Sequence, residues 1–350
     1  MVLTLSKSHT SSCTSREIRL KARPTGLLRP ENFELVEVPL PTVRGDQLLL
    51  RNRFIRVASS MRMMISEGAE AIEGVPFPAL KPGDALGEAA VAEVLAAPAA
   101  SGFAEGDLVS HHDGFREFAA VPAGACVRVD PNLPEPLMHL GHGWTAYAAL
   151  KRCARVRAGD VVFVSSAAGA IGSMAAMIAR RLGARRVIGS TSSRDKAQRL
   201  QTELRYDAAV IRGEGSIREQ LRGAAPEGID VALDNVGGEQ LAAAIEVARH
   251  GARLVVLGAL SGQLAVEGTG RTAPVTLDSF PILLKRLEIR GYSADDDSDA
   301  QAEFNSIFAD AVRAGEMHFP HVRIRGIEQA PKALCDVAAG RYVGTVLIEV

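Results

Sequence analysis

The sequence predicts an α/β protein in which a doubly wound parallel sheet is inserted in a barrel-like β domain. Three observations carry that prediction. From Val161 to Ser293, short apolar runs alternate with stretches of helical period, the pattern of βαβ units around a buried parallel sheet. Ahead of that region, short runs are divided by Gly, Pro and Asp, as in a small β-barrel. Behind it, the apolar run Thr345–Val350 reads as a strand that returns to the first domain. The 350 residues and 47% hydrophobic content allow a large core and favour two domains over one.

In chain order, residues 1–15 read as a polar lead-in whose apolar part is too short for a secretory signal. ENFELVEVPLPTVRGDQLLLRNRFIRVA, GEAAVAEVLAA, GDLVSHHDGFREFAAVP and ACVRVDP are the short runs of the first third, and residues 16–126 form the barrel-like substrate domain. Residues 127–293 form the nucleotide domain. Its strands are expected at Val161–Val164, Arg186–Gly189, Ala208–Ile211, Ile229–Leu233, Arg253–Leu257 and Leu287–Gly291. Its helices fall in SMAAMIARRLG, SRDKAQRLQTEL, SIREQLRGAA, GEQLAAAIEVARHG and SFPILLKRL. Six strands are the number that two mononucleotide-binding halves require. Residues 294–350 supply a helix and the return to the substrate domain, and the acidic stretch SADDDSDAQAEF reads as a solvated loop or helix start.

Composition narrows the function. A formal net charge of −1 gives no basic surplus for nucleic acid or an anionic membrane surface. No apolar run reaches the roughly 18–20 residues that span a bilayer. Cys13, Cys126, Cys153 and Cys335 are far apart, without the spacing of a thiolate metal site, so no metal is expected and a reduced, cytoplasmic protein is the simplest reading.

The stretch SSAAGAIGS follows a predicted strand and opens a predicted helix. Such a turn leaves backbone N–H groups at a helix N-terminus, which suits a pyrophosphate. Gly169 would allow close approach of the phosphates, and Gly172 would let the helix pack on the sheet. Ala167 stands where the first glycine of G-x-G-x-x-G would be, so the motif is weak by itself. The end of the second strand reads GSTSSRDK, with no carboxylate at the tip to bind a ribose 2′-hydroxyl. Ser192 and Lys196 suit a 2′-phosphate instead, which points to NADPH.

From about Arg16 onward the chain resembles the medium-chain dehydrogenase/reductase superfamily, and is similar to its zinc-independent, NADPH-dependent enone reductases, the prostaglandin and alkenal reductases. The resemblance rests on ordered segments: PENFELVEVPLP, GWTAYAALKRCARVRAGDVVFVSSAAGAIGS, TSSRDKAQRL, GIDVALDNVGGEQL, LVVLGALS, LLKRLEIRGY and GIEQAPKALCDVAAGRYVGTVLIEV. It implies a chaperonin-10-like β-barrel domain packed on a Rossmann domain, with NADPH in the cleft. It places Thr145, Ala168, Gly169, Ala170, Ile171, Ser192, Lys196, Arg212, Asn235, Gly258, Leu260, Ser261 and Tyr342 at the cofactor. It implies hydride transfer to the β-carbon of an α,β-unsaturated carbonyl, then protonation at the α-carbon, without metal. Leu86 falls near the place of a zinc-ligating histidine in the metal-dependent relatives. The branch also pairs its Rossmann domains edge to edge, so a homodimer is expected, and RLVVLGALSGQLAVEG is one segment that could supply the edge.

Departures cluster at the chemistry. D-P-Y-M-R of the family becomes ASSMR, and S-x-Y-N becomes SGQL, so Ser60 and Gln263 stand where the family keeps substrate-facing tyrosines. Arg212 replaces a tyrosine beside the 2′-phosphate, and N-F-G-K becomes YVGT, with Tyr342 and Thr345. Ser60 and Gln263 are neutral donors that can orient a carbonyl but do not readily supply a proton. His142, in MHLGHGWTAY, is the candidate acid, and water is the other. Trp144 reads as a pocket wall, whereas His111 and His112 read as solvated loop residues at the cleft edge. The first expectation is an NADPH-dependent reductase of an activated carbon–carbon double bond in a small-molecule substrate, in secondary metabolism. A redox-neutral cyclase or isomerase on the same scaffold and a non-catalytic NADPH-binding protein stand as alternatives.

Overall fold

Alternating inward and outward side chains build the first strands, in a computed structural model that describes residues 14–72, 78–265, 272–297 and 299–350. Cys13 and most of the lead-in lie outside the described residues. β1 (Thr14–Leu20) pairs antiparallel with β2 (Phe33–Pro39), Thr14 opposite Pro39 and Leu20 opposite Phe33. The polar lead-in therefore ends before Thr14, because Thr14 and Ser15 are held in this ladder. β3 (Gln47–Val57) is followed by the one-turn helix α1 (Met61–Met64), then β4 (Ala90–Ala96), β5 (Leu108–His111), β6 (Phe118–Pro122) and β7 (Val127–Arg128). Leu48, Leu50, Ala92, Val94, Val109, Ala119 and Val121 form the apolar interior of these strands.

The next elements alternate as expected. α2 (Gly143–Ala148) leads through a π-helical turn to β8 (Val161–Val164), α3 (Gly172–Arg181), β9 (Arg186–Thr191), α4 (Arg194–Thr202) and β10 (Ala208–Ile211). Then come α5 (Ile217–Ala224), β11 (Ile229–Asp234), α6 (Gly238–Val247), β12 (Ala248–Val256), α7 (Leu260–Gln263), α8 (Ser279–Lys285) and β13 (Glu288–Gly291). The six strands are parallel, in the order β10-β9-β8-β11-β12-β13. This is the doubly wound arrangement, and its order reverses between β8 and β11, where ligands bind beyond the strand ends. Phe163, Ile188, Val210, Ala232, Leu241 and Leu254 belong to its buried core. Ser193 caps α4 by accepting the Lys196 N–H, and Ser216 caps α5 by accepting the Glu219 N–H. β12 begins five residues before the expected Arg253, since Ala248, at the head of ARHGA, already stands opposite Ile229 of β11.

α9 (Asp299–Arg313), β14 (His321–Arg325), α10 (Ala330–Ala338) and β15 (Thr345–Glu349) complete the chain. β15 pairs antiparallel with β3, Val346 opposite Val57, in a sheet ordered β14-β15-β3-β4-β5-β7, with β6 also on β3. The fold is thus a Rossmann sheet inserted in an antiparallel β domain. Two compact units result: one reaches Leu140 and includes Val322–Ala339 and Val346–Val350, the other is Gly141–His321 with Gly340–Thr345. This partition departs from 126/127 and 293/294. The turn Pro136–Leu140 packs on β3, β4 and β5, and α9 packs on α2, where Phe304 meets the Tyr147 ring at 5.7 Å.

His111 corrects the sequence reading. It ends β5 at 1% exposure rather than lying in a solvated loop. Asp113 N–H donates to its Nδ1 at 3.1 Å, which leaves the Nε2 proton for Asn52 Oδ1 at 2.8 Å. Asn52 Nδ2 in turn donates to the Asp113 and Arg116 carbonyls. Burial above all, then the Arg116 and His112 charges, drives its pKa from 6.5 to about 3. Because the folded value is depressed, the unfolded chain binds the proton first. The stability His111 confers is complete above pH 6.5 and is lost as pH falls toward 3. The expected loss across that window is on the order of 5 kcal/mol at most. Urea midpoints measured from pH 7 to 4 should fall less steeply in His111→Asn than in the wild type, and equal slopes would refute this origin.

Candidate functional site

The turn after β8 is shaped by a close approach that only glycine permits. A Cβ at Gly172 would run into the Ser166 carbonyl and lie 2.6 Å from Ala167 Cα. A Cβ at Gly189 would lie 2.9 Å from the Tyr206 ring, whose hydroxyl donates to the Gly172 carbonyl at 2.6 Å. Ser166 takes φ 52°, with its N–H bonded to Ser190 Oγ at 3.1 Å. Gly169 closes the turn, its N–H on the Ser166 carbonyl and its own carbonyl accepting from Ser173 N–H. The N–H groups of Ala170, Ile171 and Gly172 have no acceptor among the described residues, and no side chain caps α3. Three unsatisfied donors at a helix start form an anion seat. Gly344 N–H donates to the Ala168 carbonyl at 2.9 Å, which lays the Gly340–Thr345 segment and its half-buried Tyr342 against this turn.

Lys196 lies in the first turn of α4 at 9% exposure. Its ammonium makes no hydrogen bond or ion pair among the described residues. Burial first, then the Arg199 and Arg212 charges against a favourable Asp195, lower its pKa. Ser192 stands exposed at the end of β9, and Arg212 N–H bonds the Thr191 carbonyl at 2.9 Å, so the three gather where β9 and β10 end. A Cβ built on Gly340 would lie 3.9 Å from Lys196 Nζ. A desolvated cation without a protein counter-ion is the arrangement that a bound phosphate completes.

Beyond β11 the second half of the seat is built from a buried network. Asn235 Nδ2 donates to the Ser165 carbonyl at 2.8 Å, and its Oδ1 is buried without a partner among the described residues. The Asn235 and Val236 carbonyls accept the Leu260 and Ser261 N–H groups. A Cβ at Gly258 would lie 2.7 Å from the Asn235 carbonyl oxygen. Ser261 Oγ is likewise buried and unpaired among the described residues. Gly237 and Gly238 have φ 76° and 54°, and a Cβ at either would face Ser261. Two orphaned polar atoms beside the switch point are what a nicotinamide mononucleotide half would satisfy.

The structure brings nearly all the expected residues together in the second unit. Thr145 is buried in α2, and a Cβ at the neighbouring Gly143 would lie 3.2 Å from Met174 Cε in the first turn of α3. His142 opens α2, and it and Trp144 are half-buried within an otherwise buried stretch. Gln263 ends α7, two residues after Ser261, and is half-buried. Ser60 belongs to the first unit, at the turn that opens α1. The sequence reading missed Ser165 and Asp234; the only signals were their places in SSAAGAIGS and LDNVGG. Leu86 is fully buried, and Glu88 beside it pairs with Arg56 at 2.7 Å. Among the described residues no three His, Cys, Asp or Glu side chains group as a metal site would need.

Residues 170–309 match the family described as zinc-binding dehydrogenase, and residues 16–129 match that described as the N-terminal domain of oxidoreductase. The chain is 31% identical over 344 residues, 97% of its length and 98% of the other, to "Putative NADP-dependent oxidoreductase YfmJ" of Bacillus subtilis. The chain belongs to the medium-chain dehydrogenase/reductase superfamily. Within that superfamily its matches place it in the zinc-independent, NADP-dependent reductase branch. It is 27% identical, over 95% of both chains, to the NADPH-dependent curcumin reductase of Escherichia coli. Among solved structures, CurA of Vibrio vulnificus in complex with NADPH superposes with a TM-score of 0.85 at 26% identity, over 96% of this chain and 99% of that one.

A charge-assisted contact to Lys196 is worth on the order of 1.5–3 kcal/mol. Lys196→Ala should therefore weaken NADPH by about 10–100-fold and leave NADH nearly unchanged. Titration calorimetry with both nucleotides measures this, and an equal loss for both would make Lys196 structural only.

Proposed function

We propose that this chain is an NADPH-dependent reductase of a carbon–carbon double bond conjugated to a carbonyl. The observation that carries the reading is the Lys196 ammonium, on a residue only 9% exposed and without a counter-ion among the described residues, taken together with the open N–H turn at Ala170–Gly172. The relatives support it: curcumin reductase, alkenal reductase and prostaglandin reductase are names carried by proteins that match along nearly all of this chain. NADPH, when bound, would supply the hydride for the β-carbon of the substrate. The chain's own residues do the rest. The turn at Ala170–Gly172, with Tyr342 alongside it, would hold the pyrophosphate, Lys196 with Ser192 and Arg212 would hold the 2′-phosphate, and Thr145, Asn235 and Ser261 would fix the nicotinamide end. Gln263, as an amide donor, orients the carbonyl oxygen where negative charge develops. Ser60 is assigned the same role on resemblance alone. His142 delivers the proton to the α-carbon.

A panel of enones should drive oxidation of NADPH, followed as the loss of reduced-nicotinamide absorbance. His142→Asn keeps a hydrogen-bonding group but removes the acid, so kcat should fall about 10²–10⁴-fold with NADPH affinity retained. An unaltered rate and pH profile would give the proton to water. The loss of both family tyrosines, at Ser60 and Gln263, favours one second reading, a redox-neutral cyclisation or isomerisation. Product of unchanged mass, formed without NADPH consumption, would establish that reading instead.

The protein also carries a face suited to a second copy of itself. The segment Arg253–Gly268 does not supply the edge: its strand β12 is paired on both sides, and residues 266–268 lie outside the described residues. Of the two edges of the sheet, β10 and β13, β13 follows α8, whose Phe280, Leu283 and Leu284 are 61%, 71% and 60% exposed. Two β13 strands crossing antiparallel at Ile289 would set Glu288 of each against Arg290 of the other. Sedimentation should show a dimer that Leu283→Asp with Leu284→Asp converts to monomer; a wild-type monomer at micromolar concentration would reject the pairing.

A further inference from the structure

Two segments of the nucleotide unit meet at one buried hydroxyl, and a third hangs on the second of them. Ser165, the first residue after β8, is 0% exposed. Its Oγ donates to Asp234 Oδ1 at 2.7 Å and accepts the Asn235 N–H at 2.7 Å. Its carbonyl takes the Asn235 side-chain amide at 2.8 Å. Asp234, 1% exposed, accepts Gly237 N–H at 2.8 Å and Val236 N–H at 3.3 Å. The Asp234 carbonyl receives the Leu257 and Gly258 N–H groups at 2.8 and 3.2 Å. One serine thus ties the glycine turn to the Asn235 loop, and through it to Gly258–Ser261.

The geometry removes the freedom of Asn235. With its NH2 group committed to the Ser165 carbonyl, its Oδ1 is left as a fixed, buried acceptor with no partner among the described residues. We propose that Ser165 is a positioning residue, whose hydroxyl locks Asp234 and Asn235 so that the Asn235 oxygen and the Gly258–Ser261 loop are presented to the nicotinamide half of the dinucleotide. This rests on the NADPH reading. It adds a residue that makes no contact with the cofactor and acts on the half that NADPH and NADH share. Replacing Ser165 by alanine leaves a buried carboxylate and a backbone N–H each short of a partner, and the loop relaxes to recover them.

The test compares wild type, Ser165→Ala and Ser165→Thr. Dissociation constants for NADPH and for NADH are read from quenching of Trp144, the single tryptophan, or by calorimetry. Ser165→Ala should weaken both nucleotides alike, by about tenfold or more, and Ser165→Thr, which keeps the hydroxyl, should restore most of that loss. Melting curves without nucleotide are taken in parallel, because a merely structural role lowers the melting temperature and leaves the affinity of the folded protein unchanged. Should Ser165→Ala fail to fold, Asp234→Asn tests the same lock, with the same equal loss expected. Unchanged affinities, or a loss confined to NADPH, would overturn the proposal while the cofactor reading stands. A wild type that binds neither nucleotide would remove both.

Discussion

Everything at the nucleotide seat depends on how closely α3 can come to the end of β8. Gly172 has no room for a side chain, since the Ser166 carbonyl and Ala167 occupy the space where one would start. That approach turns the N–H groups of Ala170, Ile171 and Gly172 outward together, without acceptors among the described residues. It also sets Tyr206 across the same junction, with its hydroxyl on the Gly172 carbonyl. The steric constraint is local, but its products are shared: an anion seat, a fixed helix axis and a packed interior all follow from one missing Cβ.

The two ends of the seat use opposite electrostatic devices. At Lys196 the protein leaves a cation unanswered among the described residues, and burial holds its pKa below the usual value. Beyond β11 it answers a buried anion fully, with the Ser165 hydroxyl and two backbone N–H groups around Asp234. Burial still raises that carboxyl, and the three donors oppose the rise. An unpaired buried charge invites a ligand, whereas a satisfied one makes rigid structure. The same sheet therefore carries a recognition element and a scaffold element on either side of its switch point.

The legible parts of this chain were those written in period and punctuation. β8 and β10 begin and end where the apolar runs do, because a parallel strand buried on both faces has no other signature to offer. Lys196 stood out because the strand tip before it lacks a carboxylate, and the structure leaves its ammonium without a partner among the described residues. His111 was not: HHDG looks like a turn, and only the pairing of β5 with β4 and the Asn52 amide bury that ring. The start of β12 was hidden by its charged residues, and the sheet edge by the fact that edge status belongs to strand order rather than to any run of residues. Ser165 lies within SSAAGAIGS, yet its bond to Asp234 is invisible there, since that partner lies 69 residues away.

The path of the last residues has a consequence for how the protein is made. Gly340–Thr345 belongs to the nucleotide unit and lays Gly344 on the Ala168 carbonyl, and the strand that ends the chain, β15, fills the place between β14 and β3. A ribosome delivers this stretch after every other element is in hand. Until then the nucleotide unit lacks a wall of its seat, and the β domain holds an open slot in its sheet with two unpaired neighbours. Both units therefore wait for the same short segment, and until it emerges the nascent chain exposes the kind of strand edge that chaperones shield.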